Sequence, residues 1–275
     1  MNNKICFYSV PFPKVKSYFD MIDVSVEYGF DCIEGFNMFE FLTPDITVAP
    51  KIKQYADSKG VKFVCFSANA NLAGDDYLNQ IETLKGYVDV AKVLGAQYFQ
   101  HTIINEYKNP DNVLPYKEKL FKRGIEAVRE IYDYCQKCGI KAIYEEQGYI
   151  FNGIEGYGKF LSEVNRNIGV LADFANLCQT GDKIEDFIEA FSEKIVHVHI
   201  KDAVICCDSG TNGFKTLCGN YMISSVVGEG DVNIEKGIEL LKKAGYNGCY
   251  GIEFGSATND KGVMDKVVNY IKNIK

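Results

Sequence analysis

Ten ionisable residues at or near the ends of short apolar runs could do chemistry together: Glu34, His101, Glu145, Glu146, Asp173, His197, His199, Lys201, Asp202 and Glu253. The chain has three histidines, and all three belong to this set. Side chains alternate along an extended strand, so in 194–202 Val196, Val198 and Ile200 share one side, and His197, His199 and Lys201 the other. In 248–254 the same alternation sets Cys249, Gly251 and Glu253 against Tyr250, Ile252 and Phe254. If the apolar sides meet helices, the other sides face a common interior. A buried group of Glu, Asp, His and Glu cannot stay as unpaired charge; it requires protons or a cation. Carboxylates mixed with imidazole suit one divalent metal ion, Mn²⁺, Mg²⁺, Co²⁺ or Zn²⁺. Three carboxylates with one histidine lean away from a thiolate-rich structural zinc site. Taken singly, each residue is equally compatible with a separate ion pair or a satisfied core polar group. Glu145 and Glu146 are neighbours and face opposite sides, and spacing leaves open which one joins the group.

These residues need a scaffold that brings many strand ends to one place. Eight apolar runs read as strands: 4–10, 31–36, 61–67, 96–103, 140–146, 168–174, 194–202 and 248–254. Helical patterns lie between most of them, including 77–95, 115–139 and 262–274. Pro115 and Gly139 carry the start and stop asymmetry of a helix, and a glycine precedes many strands (Gly29, Gly60, Gly95, Gly139, Gly169, Gly245). Dividing 275 residues by eight gives about 34 per unit, a βαβ length. Alternating strands and helices imply a parallel sheet, and eight of them imply an α/β (β/α)₈ TIM barrel over residues 1–275 as one domain. No G-x-G-x-x-G follows the first strand, which weighs against an open dinucleotide-binding sheet. Residues 203–231 form the longest irregular stretch and are expected to lie over the C-terminal face of the strands as a lid or substrate loop.

Composition sets outer limits. Of the 275 residues, 47% are hydrophobic and 24% charged, the balance of an ordinary globule. A net charge of −7 makes a nucleic-acid partner unexpected, and no run is long enough to span a membrane. The opening MNNKICFYSVPFPK lacks a long apolar core and a small-residue cleavage site, so a cytoplasmic protein with ten reduced cysteines is expected. Cys6, Cys32, Cys65 and Cys249 sit in strand runs, where a thiol behaves as a small hydrophobe. Cys135-x-x-Cys138 has no partner pair nearby, and Cys178, Cys206, Cys207 and Cys218 are expected as bystanders in top-face loops. Gly228-x-Gly230 could cradle a phosphate on backbone N–H groups, with Lys215 and Lys201 as partners, but a Gly pair more often makes a turn. Phe12, Phe36, Phe39 and Phe66 near strand ends are expected mainly in the core.

The segments GIKAIYEEQ (139–147), GVLADFAN (169–176), HVHIKD (197–202) and VVGEGDVNIEKGIELLKKAGYNGCYGIEF (226–254) resemble those of the xylose isomerase-like barrels, the sugar-phosphate isomerase/epimerase group. The resemblance covers most of the chain. It implies Glu145, Asp173, His199 and Glu253 as metal ligands and chooses Glu145 over Glu146. Two departures stand out. Asn176 replaces the His of the family's Asp-x-x-His, and Glu146-Gln147 replaces Asn-His. Asn176 can hydrogen-bond a substrate but cannot transfer a proton as His can.

The expected function is a metal-dependent isomerase or epimerase of a sugar or sugar phosphate, through an enediolate. Glu145 and Glu253 are the expected acid–base pair. Lys201, His101, His197, Asn176 and Glu34 are the expected substrate contacts, and self-association into a homo-oligomer is compatible with such a barrel. An inosose-type dehydratase fits the same residues. An apurinic-endonuclease-like hydrolase is disfavoured by net charge and few histidines, and a non-catalytic sugar-binding barrel by the paired glutamates.

Overall fold

The computed structural model describes residues 4–8, 15–208, 213–254 and 261–274. Seven parallel strands run in chain order: β1 (Lys4–Tyr8), β2 (Cys32–Phe36), β3 (Lys62–Ala68), β4 (Tyr98–His101), β5 (Lys141–Glu145), β6 (Gly169–Asp173) and β7 (Ile195–Ile200). An antiparallel excursion follows, made of β8 (Asp202–Cys206), β9 (Phe214–Lys215) and β10 (Tyr221–Ser225). The eighth barrel strand, β11 (Cys249–Glu253), then pairs with both β7 and β1 and closes the cylinder. The helices are α1 (Tyr18–Glu27), α2 (Ala49–Ser58), α3 (Tyr77–Leu94), α4 (Lys117–Cys138), α5 (Ile154–Val164), α6 (Ile184–Phe191), α7 (Ile234–Lys243) and α8 (Lys261–Asn273). The eight expected strands correspond one to one with the barrel strands; positions 9 and 10 of the first, and Phe12, lie outside the described residues.

Alternation fixes which side chains do what. Phe7, Ile33, Phe99, Val198 and Ile252 join helix residues such as Met21, Leu84 and Ile131 in the main core. Burying one such side chain stabilises by roughly 1.5–3 kcal/mol. The opposite residues fill the cylinder. Gly139 stops α4 at φ 74°, a left-handed conformation costly for a residue with a Cβ. Pro115 lies not in the first turn of α4 but in a preceding 3₁₀ turn, Leu114–Tyr116. Among the described residues, no helix is long and apolar enough to cross a membrane.

Two expectations change. Val196 is not on the outer side of β7. A register shift pairs Ile195 with Val170 and His197 with Leu171. Val196 is thus the extra residue of a bulge, packed with Cys65, Ile143 and Leu171 on the barrel floor. Gly169 makes the room, since a Cβ there would stand 2.6 Å from a Val196 methyl. The stretch 203–231 is not irregular throughout, because β8, β10 and β9 form a small sheet in it. Asp202 anchors its return. The carboxylate accepts N–H bonds from Ala203, Gly228, Gly230 and Val232 at 2.8–3.2 Å.

Candidate metal and active site

Glu145, Asp173, His199 and Glu253 meet at the C-terminal end of the cylinder. One ligand-type atom from each lies within 4.8 Å of all the others. Each belongs to a different strand, and the inward alternation on β5, β6, β7 and β11 delivers them to one level. Between the neighbours Glu145 and Glu146, it is Glu145 that joins the cluster. Glu146 turns to the other side, where its Oε1 accepts the N–H of Asp173 at 2.9 Å. Burial pushes the Glu146 carboxyl well up, and the Asp173 charge adds to this. His199 Nδ1 stands 3.4 Å from Glu145 Oε2 and 3.3 Å from Glu253 Oε2. Asp173 Oδ1 accepts the N–H groups of Ala175 and Asn176, while its buried Oδ2 makes no hydrogen bond.

Directly below, Glu34 holds the histidines. Its Oε2 accepts from His197 Nε2 at 2.7 Å and from His199 Nε2 at 3.1 Å, and its Oε1 accepts from Ser67 Oγ at 2.6 Å. A proton on His199 Nε2 directs Nδ1 at the carboxylates, the carboxylate–imidazole orientation that prepares a histidine to bind a metal. Gly251 gives the network space, because a Cβ there would lie 3.2 Å from His199 Cδ2 and 3.4 Å from Glu34 Oε2. Tyr8 stacks on the His199 ring, with centroids 4.5 Å apart. Burial opposes charge throughout, yet the partners prevail at four groups, among them Lys201, held well above the usual lysine range by Glu253 and Asp173. His199 is held well above the usual histidine range, chiefly by Glu34. Glu34 is held well below the carboxylate range by His199 and His197. Glu253 is held down at about 2 by Lys201 and His199. At Asp173 burial wins over Lys201, and the carboxyl is pushed up to about 7.

Beside the cluster lies a pocket of about 200 Å³ bordered by Tyr107, Gln147, Asn176, Gln179, Lys201, Phe214, Met222, Ser224, Glu253 and Phe254. Lys201 Nζ donates to Glu253 Oε1 at 2.7 Å and stands 3.7 Å from Asp173 Oδ2. Asn176 is buried, and its Nδ2 has no partner. Gln147 donates to Glu145 Oε1 and accepts from the Tyr107 hydroxyl. Sequence reasoning missed Tyr8, Tyr107, Gln179 and Ser224 as neighbours of the site. It noted Gln147 only as a departure, although its place two residues after Glu145 put it on the same side.

Several expected contacts lie elsewhere. Glu34 and His197 are fully buried and engaged with each other beneath the cluster, and neither borders the pocket. His101 lies on the helix-facing side of β4. Its Nδ1–H donates to the Thr102 carbonyl, and its Nε2 accepts from the Tyr144 hydroxyl, both at 2.9 Å. Burial lowers His101 to about 4. A depressed histidine leaves the fold at full stability above the unfolded value near 6.5 and removes stability as pH falls toward 4. From pH 7 to pH 5 this amounts to about 2 kcal/mol. Urea unfolding at the two pH values should show that loss in the native protein and a smaller one in His101→Gln; equal losses would show that His101 contributes nothing.

The N–H groups of Gly228 and Gly230 are spent on Asp202, which removes them as a phosphate cradle. Lys215 is half-exposed, 3.7 Å from Asp111. Cys135 and Cys138 join no ligand cluster among the described residues, and Cys138 donates weakly to Asp89. Phe66 is in the core, with Phe36 and Phe39 at its edge or against neighbouring rings.

Comparisons with known proteins agree with this architecture. A family model described as xylose isomerase-like TIM barrel matches residues 22–274. An inosose isomerase of Halalkalibacterium halodurans is 23% identical over 212 residues, covering 74% of this chain and 70% of that protein. The crystal structure of D-allulose 3-epimerase from Methylomonas sp. superposes with a TM-score of 0.77 at 18% identity, covering 99% of this chain and 98% of that one. A xylose isomerase-like TIM barrel protein from Mycobacterium smegmatis, solved in complex with magnesium, gives 0.71 at 18% identity, covering 94% and 87%.

Proposed function

The chain belongs to the xylose isomerase-like TIM barrel family, and from that premise we propose that it is a divalent-metal-dependent isomerase or epimerase of a neutral polyhydroxy carbonyl compound: a ketose, an aldose or an inosose. The observation that carries this reading is the pair Glu145 and Glu253. Each turns Oε2 toward His199 Nδ1, and each has Oε1 held by a residue of the pocket wall, Gln147 or Lys201. Two opposed carboxylates beside a pocket are what removal and return of one proton require. The activities named for the inosose isomerase and the D-allulose 3-epimerase support the same substrate class.

The donor set fits a divalent cation. Three carboxylates and an imidazole nitrogen lie within reach of one point, and Asp173 Oδ2 and His199 Nδ1 are buried without hydrogen bonds. Glu145, Asp173, His199 and Glu253 would hold the ion. Bound there, a cation supplies Lewis acidity that stabilises the enediolate of the substrate. The remaining work belongs to the side chains. One glutamate takes the proton from the carbon beside the carbonyl, and the other returns it. Return to another carbon isomerises; return to the opposite face epimerises. Lys201 keeps Glu253 ionised, and Tyr107 and Gln147 fix Glu145. The free Nδ2 of Asn176 is available to a substrate hydroxyl.

The pocket wall favours an unphosphorylated substrate. Among the described residues Lys201 is its one cation and is paired with Glu253, and Tyr107, Gln147, Asn176, Gln179 and Ser224 offer neutral hydrogen bonds. The test is incubation with Mn²⁺ in deuterated water and a panel of ketoses, aldoses, inososes and their phosphates. Isomeric product, with deuterium on the carbon beside the carbonyl, is expected from a neutral member. Loss of water detected by mass would instead make the protein a dehydratase, and binding of the panel without exchange or conversion would make it a binding protein.

A further inference from the structure

The floor of the barrel holds a second group of ligand-type side chains that the reading above leaves unused. Cys6 on β1, Cys32 on β2 and Cys249 on β11 point inward from three adjacent strands. All three are buried and none is in a disulfide. Their sulfurs lie within 4.8 Å of one another, and Cys32 Sγ is 3.5 Å from Cys249 Sγ. Around a tetrahedral ion with metal–sulfur bonds of about 2.3 Å, neighbouring sulfurs stand about 3.8 Å apart, so small side-chain rotations bring the three into place. A cavity of about 420 Å³ on the N-terminal face reaches Cys32 and Cys249, giving an ion a route in and a fourth ligand position for water. Lys4, Lys53 and Lys62 border the same cavity with one carboxylate, Asp57, and this positive balance offsets the single negative charge left by three thiolates and a divalent ion.

We propose that Cys6, Cys32 and Cys249 form a thiolate site for Zn²⁺ at the N-terminal floor, separate from the oxygen-rich centre at the other end of the cylinder. The two donor sets select differently. Thiolates prefer zinc and other soft ions, whereas carboxylates with one imidazole accept Mn²⁺ or Mg²⁺. Sequence spacing hides the floor site, because its members are scattered from residue 6 to residue 249 and meet only through barrel closure. The site is independent of the proposed activity and stands or falls without it.

Cd²⁺ serves as the spectroscopic stand-in for Zn²⁺. The full chain, reduced and stripped of metal, carries Cys138→Ser, Cys178→Ser, Cys206→Ser, Cys207→Ser and Cys218→Ser so that thiols outside the floor do not report. Titration should raise the ultraviolet sulfur-to-cadmium charge-transfer band to saturation near one equivalent. Adding Cys32→Ser should abolish the band, and Cys6→Ala, a second variant checked for folding by circular dichroism, should do the same. Asp173→Asn in the same background should leave it intact. Absence of the band in the folded, reduced protein, or its survival in either folded floor variant, would overturn the site and return the three thiols to the role of small hydrophobes.

Discussion

Glu253→Gln and Glu145→Gln each lower turnover by on the order of 10²–10⁴, the usual worth of a positioned acid or base. Glutamine keeps the size of the side chain and one carbonyl oxygen but cannot take up a proton at neutral pH. The fold should persist, because the substitution leaves no hole. At residue 253 the amide oxygen can still accept from Lys201, and at residue 145 from Gln147. The loss should fall on kcat more than on KM, and deuterium incorporation should fall with it. A variant that keeps a tenth or more of native turnover would remove that glutamate from the proton path.

The second large effect is metal removal. Exhaustive chelation should abolish activity, and Mn²⁺ should restore it. Metal bound only to the folded state adds about 2.7 kcal/mol at a hundredfold excess over Kd, so the melting temperature should drop by roughly 5–10 °C on chelation. His199→Ala should match the chelated protein, and Mn²⁺ should not rescue it. The variant removes the imidazole that faces Glu145 and Glu253 and leaves Glu34 with His197 and Ser67 as remaining partners. Full activity after chelation, with no metal detected by elemental analysis, would end the metal reading.

Much of this arrangement was legible in the residues. Apolar runs separated by helical periodicity supplied the eight strands, because barrel strands covered on the outside by helices keep a continuous hydrophobic signal. Alternation correctly placed His197, His199, Gly251 and Glu253 inside the cylinder. His101 was read from its strand-end position alone as a pocket residue, whereas the structure turns it to the helix side of β4 against Tyr144. Other features have no local signature. Glu34 lies 163 residues from His197 and finds it only when the barrel closes. The bulge at Val196 depends on register against β6. Asp202 spends its carboxylate on backbone groups 26–30 residues ahead, which turned an apparent phosphate loop into an internal brace.

The most direct test of the central claim is a crystal of the Mn²⁺-loaded protein measured at the manganese absorption edge. The account predicts one anomalous peak with Glu145, Asp173, His199 Nδ1 and Glu253 as ligands, at about 2.0–2.6 Å. The absence of a peak at saturating Mn²⁺, or a peak held by other residues while these four keep their ion pairs, would contradict it.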